Sequence, residues 1–230
     1  MVDIGHFGHH RGVIRVDFPA PVELRPRWAA FAATLAGMGP RWARGAYATP
    51  TTWHYDDGGG NWADLQLVDG GRAVLVGHDH EYSETYFGHA AEYFGQTPTD
   101  LLAGTPQWWS PVITAHLERI DTEGMWVGFI YGFDGRTWNR ADYDADDGFT
   151  SLNVPFGSDA QCAELINEHL TGAAESPPVD TAAVAALVAA GPAVARATLE
   201  SVFDGGALDV DAALAAARSF APRLEGSHPA

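Results

Sequence analysis

The stretch that decides the fold is Trp62–His78, WADLQLVDGGRAVLVGH. Its first half alternates. Trp62, Asp64 and Gln66 fall on one side of an extended chain, and Ala63, Leu65 and Leu67 on the other. Asp69-Gly70-Gly71 supplies a hairpin turn, and Arg72–His78 reads as the return strand. A hairpin at this point, rather than a strand–helix–strand unit, predicts an antiparallel sheet.

Working outward, TTWHY (51–55) predicts a further strand, separated from the hairpin by DDGGGN (56–61), which is too glycine-rich for regular structure. Upstream, VIRVDF (13–18) alternates as a strand. Trp28, Phe31, Ala32 and Leu35 recur at helical spacing over 26–35, with Pro26 in the first turn. Residues 41–50 show no clear period, and GHFGHHRG near the N-terminus reads as a loose segment. Downstream, Ser83 is placed to cap a helix over 83–94, and Ser110-Pro111 to open another. MWVGFIYGF (125–133), RTWNRADY (136–143) and FTSLNVPF (149–156) read as strands. Ser158 and Gln161 form a capping-box pattern for a helix to Leu170. After a linker at 173–179, the alanine-rich end predicts three helices, over 180–190, 193–203 and 210–220. The expected class is α+β: an antiparallel-rich sheet with helices packed on one face and a helical C-terminal region. The expected division is a main domain, 1–172, and an alanine-rich helical extension, 180–221.

Composition narrows the function classes. The chain of 230 residues has a net charge of -17, and all 13 basic residues are arginine. Residues 51–180 hold 22 acids against four arginines. Such a segment repels nucleic-acid backbones and anionic membranes and attracts a basic protein partner. No apolar run reaches the length of a membrane span, and the N-terminus lacks an apolar signal core, so a cytoplasmic location is expected. Cys162 is the only cysteine, which excludes an intrachain disulfide and a thiolate metal site. It reads as a small buried hydrophobe within a helix.

Two sets of residues could carry function. The first is His78-Asp79-His80-Glu81, at the expected end of a strand. His78 and His80 would share one face there, and His54 could supply a third ligand to a divalent metal such as zinc, iron or manganese. This is not the HExxH helix pattern. The second is a surface of acids and rings suited to binding: Trp53, Asp56, Asp57, Trp62, Asp79, Glu81, Tyr82, Trp108 and Trp109. Acids between Asp56 and Glu84, beside Trp53, Trp62 and Tyr82, would also suit a sugar cleft. DDGGGN is no phosphate loop, since the chain has no lysine. Trp126 reads as core; Trp138 and Tyr143, beside several aspartates, read as more exposed.

In size, acidity, tryptophan content and mixture of strands and helices, the chain resembles the Smi1/Knr4-like immunity proteins, compact acidic α+β proteins that block toxins by binding them. The resemblance implies the fold type and a protein partner, and assigns no individual residue. The expected function is therefore an acidic protein-binding module, inhibitory or immunity-like. The alternative is a metal-dependent, hydrolase-like enzyme centred on the histidine and carboxylate cluster.

Overall fold

Seven strands form a single antiparallel sheet in the computed structural model, which describes residues 12–122, 124–152, 157–172, 179–203 and 208–222. The strands are β1 (Val13–Val16), β2 (Ala46–Ala48), β3 (Thr52–Asp56), β4 (Trp62–Val68), β5 (Arg72–His78), β6 (Phe129–Phe133) and β7 (Trp138–Ala141), in the spatial order β1-β7-β6-β5-β4-β3-β2. The β4–β5 hairpin is the longest pairing, from Trp62 opposite His78 to Val68 opposite Arg72. Its loop is Asp69-Gly70-Gly71, and both glycines take the positive φ, 77° and 73°, that the turn requires.

Alternation along the strands builds two cores. On one face, Trp53, Tyr55, Leu65, Leu75, Phe129, Tyr131 and Trp138 pack beneath a helical layer. That layer comprises α1 (Pro21–Gly37), α4 (Asp159–Thr171), α5 (Thr181–Ala190), α6 (Arg196–Val202) and α7 (Val210–Arg218). α1 is apolar nearly all round, and Trp28 through Gly37 are buried, as befits a helix sandwiched between a sheet and other helices. The alanine-rich helices belong to this same core: Phe203 presses on Gly37, and the Phe220 ring lies 5.6 Å from Trp53.

The opposite face is covered by α3 (Trp109–Thr122), whose Trp109, Ile113 and Ile120 pack on Val74, Val76 and Ile130. Trp109 sits where β6 has no side chain: a Cβ on Gly132 would land inside the indole. The α+β class and the antiparallel sheet are as the sequence predicts. The main helical layer lies on one face, and α3 adds cover on the other.

Several boundaries differ, each for a local reason. α1 begins at Pro21 rather than near Pro26, because Pro21 occupies its first position and the Glu23 carboxylate accepts the Ala20 N–H at 2.9 Å. Of the helix expected over 83–94, only α2 (His89–Phe94) forms. Gly88 adopts φ 58° before it, and Ser83 is spent elsewhere: its hydroxyl accepts the Asp79 N–H and donates to the Asp147 carbonyl. β6 starts at Phe129, so 125–128 are not strand. Residues 149–152 form turns instead of a strand; 153–156 and the linker at 173–178 lie outside the described residues. Ser158 caps α4 as expected, accepting the Gln161 N–H at 3.1 Å.

Candidate functional site

The histidines singled out in the sequence do not meet. His54 and His78 lie on the same sheet face, but β4 runs between their strands and they are offset by two residues along it. With strands about 4.8 Å apart and a rise of about 3.4 Å per residue, their Cα atoms stand roughly 12 Å apart. His80 is in the exposed turn beyond β5, where its N–H donates to Asn61 Oδ1 at 2.7 Å. Among the described residues, no three histidine, cysteine or carboxylate side chains are grouped to hold a metal ion.

His54 is instead part of a buried charge network. Asp64, on the α3 side of β4, is 1% exposed. Its Oδ1 lies 2.6 Å from His54 Nδ1, and its Oδ2 2.8 Å from the Arg119 guanidinium. His116 Nε2 approaches the same Oδ2 at 3.1 Å, off the line of a straight hydrogen bond. Burial alone would raise the carboxyl. The contacts with His116 and His54 outweigh it and hold Asp64 down at about 2. Gln66 extends the network, meeting His116 Nδ1 at 3.1 Å and Thr52 Oγ1 at 2.9 Å. An alternation that looks half-solvated in sequence is thus buried on both sides, and the polar members are paired across to α3. The two imidazoles are turned inward and Arg119 reaches in from a partly exposed position, so the network fixes α3 on the sheet.

The GHDHEYS segment is likewise a junction. Asp79 is 1% exposed, and its Oδ1 accepts the Glu81 and Tyr82 N–H groups. Ser83 bridges to Asp147 and pairs with it across a short β-bridge. Asp147 Oδ2 in turn accepts both the Tyr131 and the Tyr143 hydroxyls at 2.7 Å. Burial, followed by the Asp147 charge, pushes both phenols well above the ordinary tyrosine range. His78 is half-buried, and its Nδ1 has no hydrogen-bond partner among the described residues. Burial, and then His80, push it down to about 4 against the opposing pull of Asp79.

The expected binding residues are dispersed. Trp53 is buried beneath the helices, Trp62 beneath α3, Trp109 on the inner face of α3, and Asp79 inside its turn. Trp108 is half-buried with Arg72 over its ring at 4.8 Å. Asp57 and the half-buried Asp56 sit at the DDGGGN turn, and Glu81 and Tyr82 are exposed in the turn after β5. Trp138 and Tyr143 are buried, not exposed, because Trp138 faces the helical core and Tyr143 is drawn in by Asp147.

What the structure does gather is a different acidic-aromatic surface, at α2 and the outer side of α3. A groove of about 290 Å³ runs between them, with Phe87, Ala90, Leu117, Ile120, Met125 and Val127 as its apolar lining. Trp126, expected in the core, stands half-buried at its edge, because β6 begins only at Phe129. Tyr93 and Phe94 pack on Trp126 with ring centroids 5.2 Å and 5.4 Å away, and Tyr86 meets Phe94 at 5.8 Å. Two of these rings stay open to solvent: Tyr93 is 73% exposed and Phe94 49%. Glu118 lines the groove and Glu92 is exposed on α2. No arginine or lysine occurs between Arg72 and Arg119, and Arg119 is bonded to Asp64. The signal in the sequence was the pairing of GHAAEYFG, a short glycine-bounded segment, with a tryptophan just before a strand.

Compared with family models, curated proteins and solved structures, the chain matches none. Among the described residues, no helix is long and apolar enough to cross a membrane.

Proposed function

We propose that the protein is an acidic protein-binding module that takes a basic, apolar-anchored segment of a partner protein in the α2–α3 groove. One observation carries the reading. A cluster of exposed aromatic rings adjoins an apolar groove in a stretch of 46 residues, 73–118, that has six acids and no arginine or lysine. Tyrosine, tryptophan and phenylalanine are costly to leave open to water, and they are the usual anchors of interfaces. Acids around them steer a basic partner and repel acidic ones. Arginine side chains of the partner would lie over Tyr93 and Trp126, where a cation over an aromatic face gains about 0.5–2 kcal/mol. An aliphatic or aromatic anchor would fill the groove. Under the resemblance to Smi1/Knr4-like immunity proteins, the partner is a toxin held inactive by the complex.

Selection of random 12-residue peptides on the immobilised protein tests the reading. Enrichment of peptides that combine arginine or lysine with an apolar anchor, abolished in the Tyr93→Ser/Trp126→Ala double variant, supports it. Enrichment of neutral or acidic peptides, or the same basic peptides on the double variant, contradicts it.

A further inference from the structure

A second cavity, of about 420 Å³, opens on the other side of the molecule's core, between the 3-10 turn Trp42–Arg44, the end of β3 and α4. Its size falls within the roughly 300–1,000 Å³ of small-molecule sites. Rings form its walls. Phe31 and Tyr55 come from α1 and β3, and His169 from α4, edge-on to Phe31 at 5.1 Å and to Trp42 at 6.2 Å. His169 Nδ1 is bonded to the Leu165 carbonyl at 2.8 Å, so the ring is held in one orientation.

The charges at the mouth are arranged in an unusual way. Arg44 and Asp56 both line the cleft, and their segments are joined where the Asp56 N–H donates to the Gly45 carbonyl at 2.8 Å. Yet Arg44 makes no ion pair or hydrogen bond among the described residues. Asp57 is consumed by its own turn, its Oδ1 accepting the Gly59 and Asn61 N–H groups and its Oδ2 the Asn61 side-chain amide. Among the described residues Asp56 uses only Oδ1, accepting the Gly58 N–H at 2.6 Å. A cation and a carboxylate oxygen, unpaired among the described residues, therefore line the same cleft as the aromatic chamber.

We propose that this cleft binds a free aromatic α-amino acid. In such a molecule an ammonium and a carboxylate share one carbon, which matches the adjacent Asp56 and Arg44, and the ring enters between Trp42, His169, Phe31 and Tyr55. Arg41 and Asp57 line the cleft as well, so either charge alone would face like charges, and the zwitterion is preferred to an aromatic amine or an aromatic acid. The site is separate from the α2–α3 groove and does not depend on the partner proposed there.

Titration calorimetry of the full chain with L-tryptophan, tryptamine and indole-3-propionate tests this. Saturable one-to-one binding of L-tryptophan, at least tenfold tighter than either comparator, is expected. Arg44→Ala should weaken L-tryptophan about tenfold and tighten tryptamine, whose ammonium loses a like-charged neighbour. Asp56→Asn, which keeps an acceptor for Gly58, should weaken L-tryptophan and tighten indole-3-propionate, whose carboxylate loses a like-charged neighbour. Absence of saturable binding of L-tryptophan, L-phenylalanine and L-tyrosine to the wild-type chain overturns the proposal. So does equal affinity for the three indole compounds, or an L-tryptophan affinity unchanged by Arg44→Ala in a protein that melts as the wild type does.

Discussion

His54 Nδ1 and Asp64 Oδ1, directly opposite one another on β3 and β4, are 2.6 Å apart beneath the C-terminal half of α3. Asp64 is the hub, since Arg119 and His116 reach the same carboxylate from α3. Asp64→Ala leaves two imidazoles and a guanidinium facing an apolar hole. Removing one partner from a buried ion pair typically costs about 3–5 kcal/mol. We expect a loss of that order in urea unfolding, with Arg119→Ala costing less because its side chain is 44% exposed. Additive losses in the double variant would show that the two residues do not interact.

Asp64 also sets an acid limit. Its carboxyl is held at about 2, below the ordinary value of 3.8. Its contribution is therefore complete above the unfolded value and is lost as pH falls through the folded one. The unfolding free energy of the wild type should drop more steeply between pH 4 and pH 2 than that of Asp64→Asn. Parallel curves would contradict this.

His78 acts higher on the pH scale. Its folded value of about 4 lies below the ordinary 6.5, so the unfolded chain takes up a proton that the folded chain refuses. Stability should fall as pH drops from 6.5 towards 4, by at most about 3 kcal/mol, less residual solvent screening. His78→Gln should flatten this part of the curve, and an unchanged slope would refute the assignment.

Trp109 of α3 is seated over Gly132 of β6, where an added Cβ would overlap the indole. Gly132→Ala would force the indole out of its seat and should destabilise the fold by about 1–3 kcal/mol, as overpacking does. Trp109→Leu in the same chain should recover part of the loss. A neutral Gly132→Ala would mean that α3 sits elsewhere.

The fold was legible where local signals agree. In Trp62–His78, alternation, turn glycines and β-branched residues all point to one hairpin, and the strands end where the pattern does. Asp64 shows the limit of such reading. A polar residue in an alternating strand looks solvent-facing, and only the docking of α3, fifty residues away in sequence, buries it. The same holds for Ser83, whose hydroxyl serves a long-range junction with Asp147 instead of a helix cap. The sequence-based binding set failed to form one surface because its tryptophans served the two cores. The exposed rings of Tyr93 and Phe94 and the half-buried Trp126 owe their position to the end of α2 at Gly95, in the left-handed conformation, and a late start of β6.

Hydrogen–deuterium exchange, with and without a basic peptide from the selection, tests the central claim most directly. Slower exchange confined to residues 87–94 and 114–127, weakening as salt is raised, is the expected result. Protection centred on residues 42–58, or none in the α2–α3 groove at saturating peptide, would contradict it.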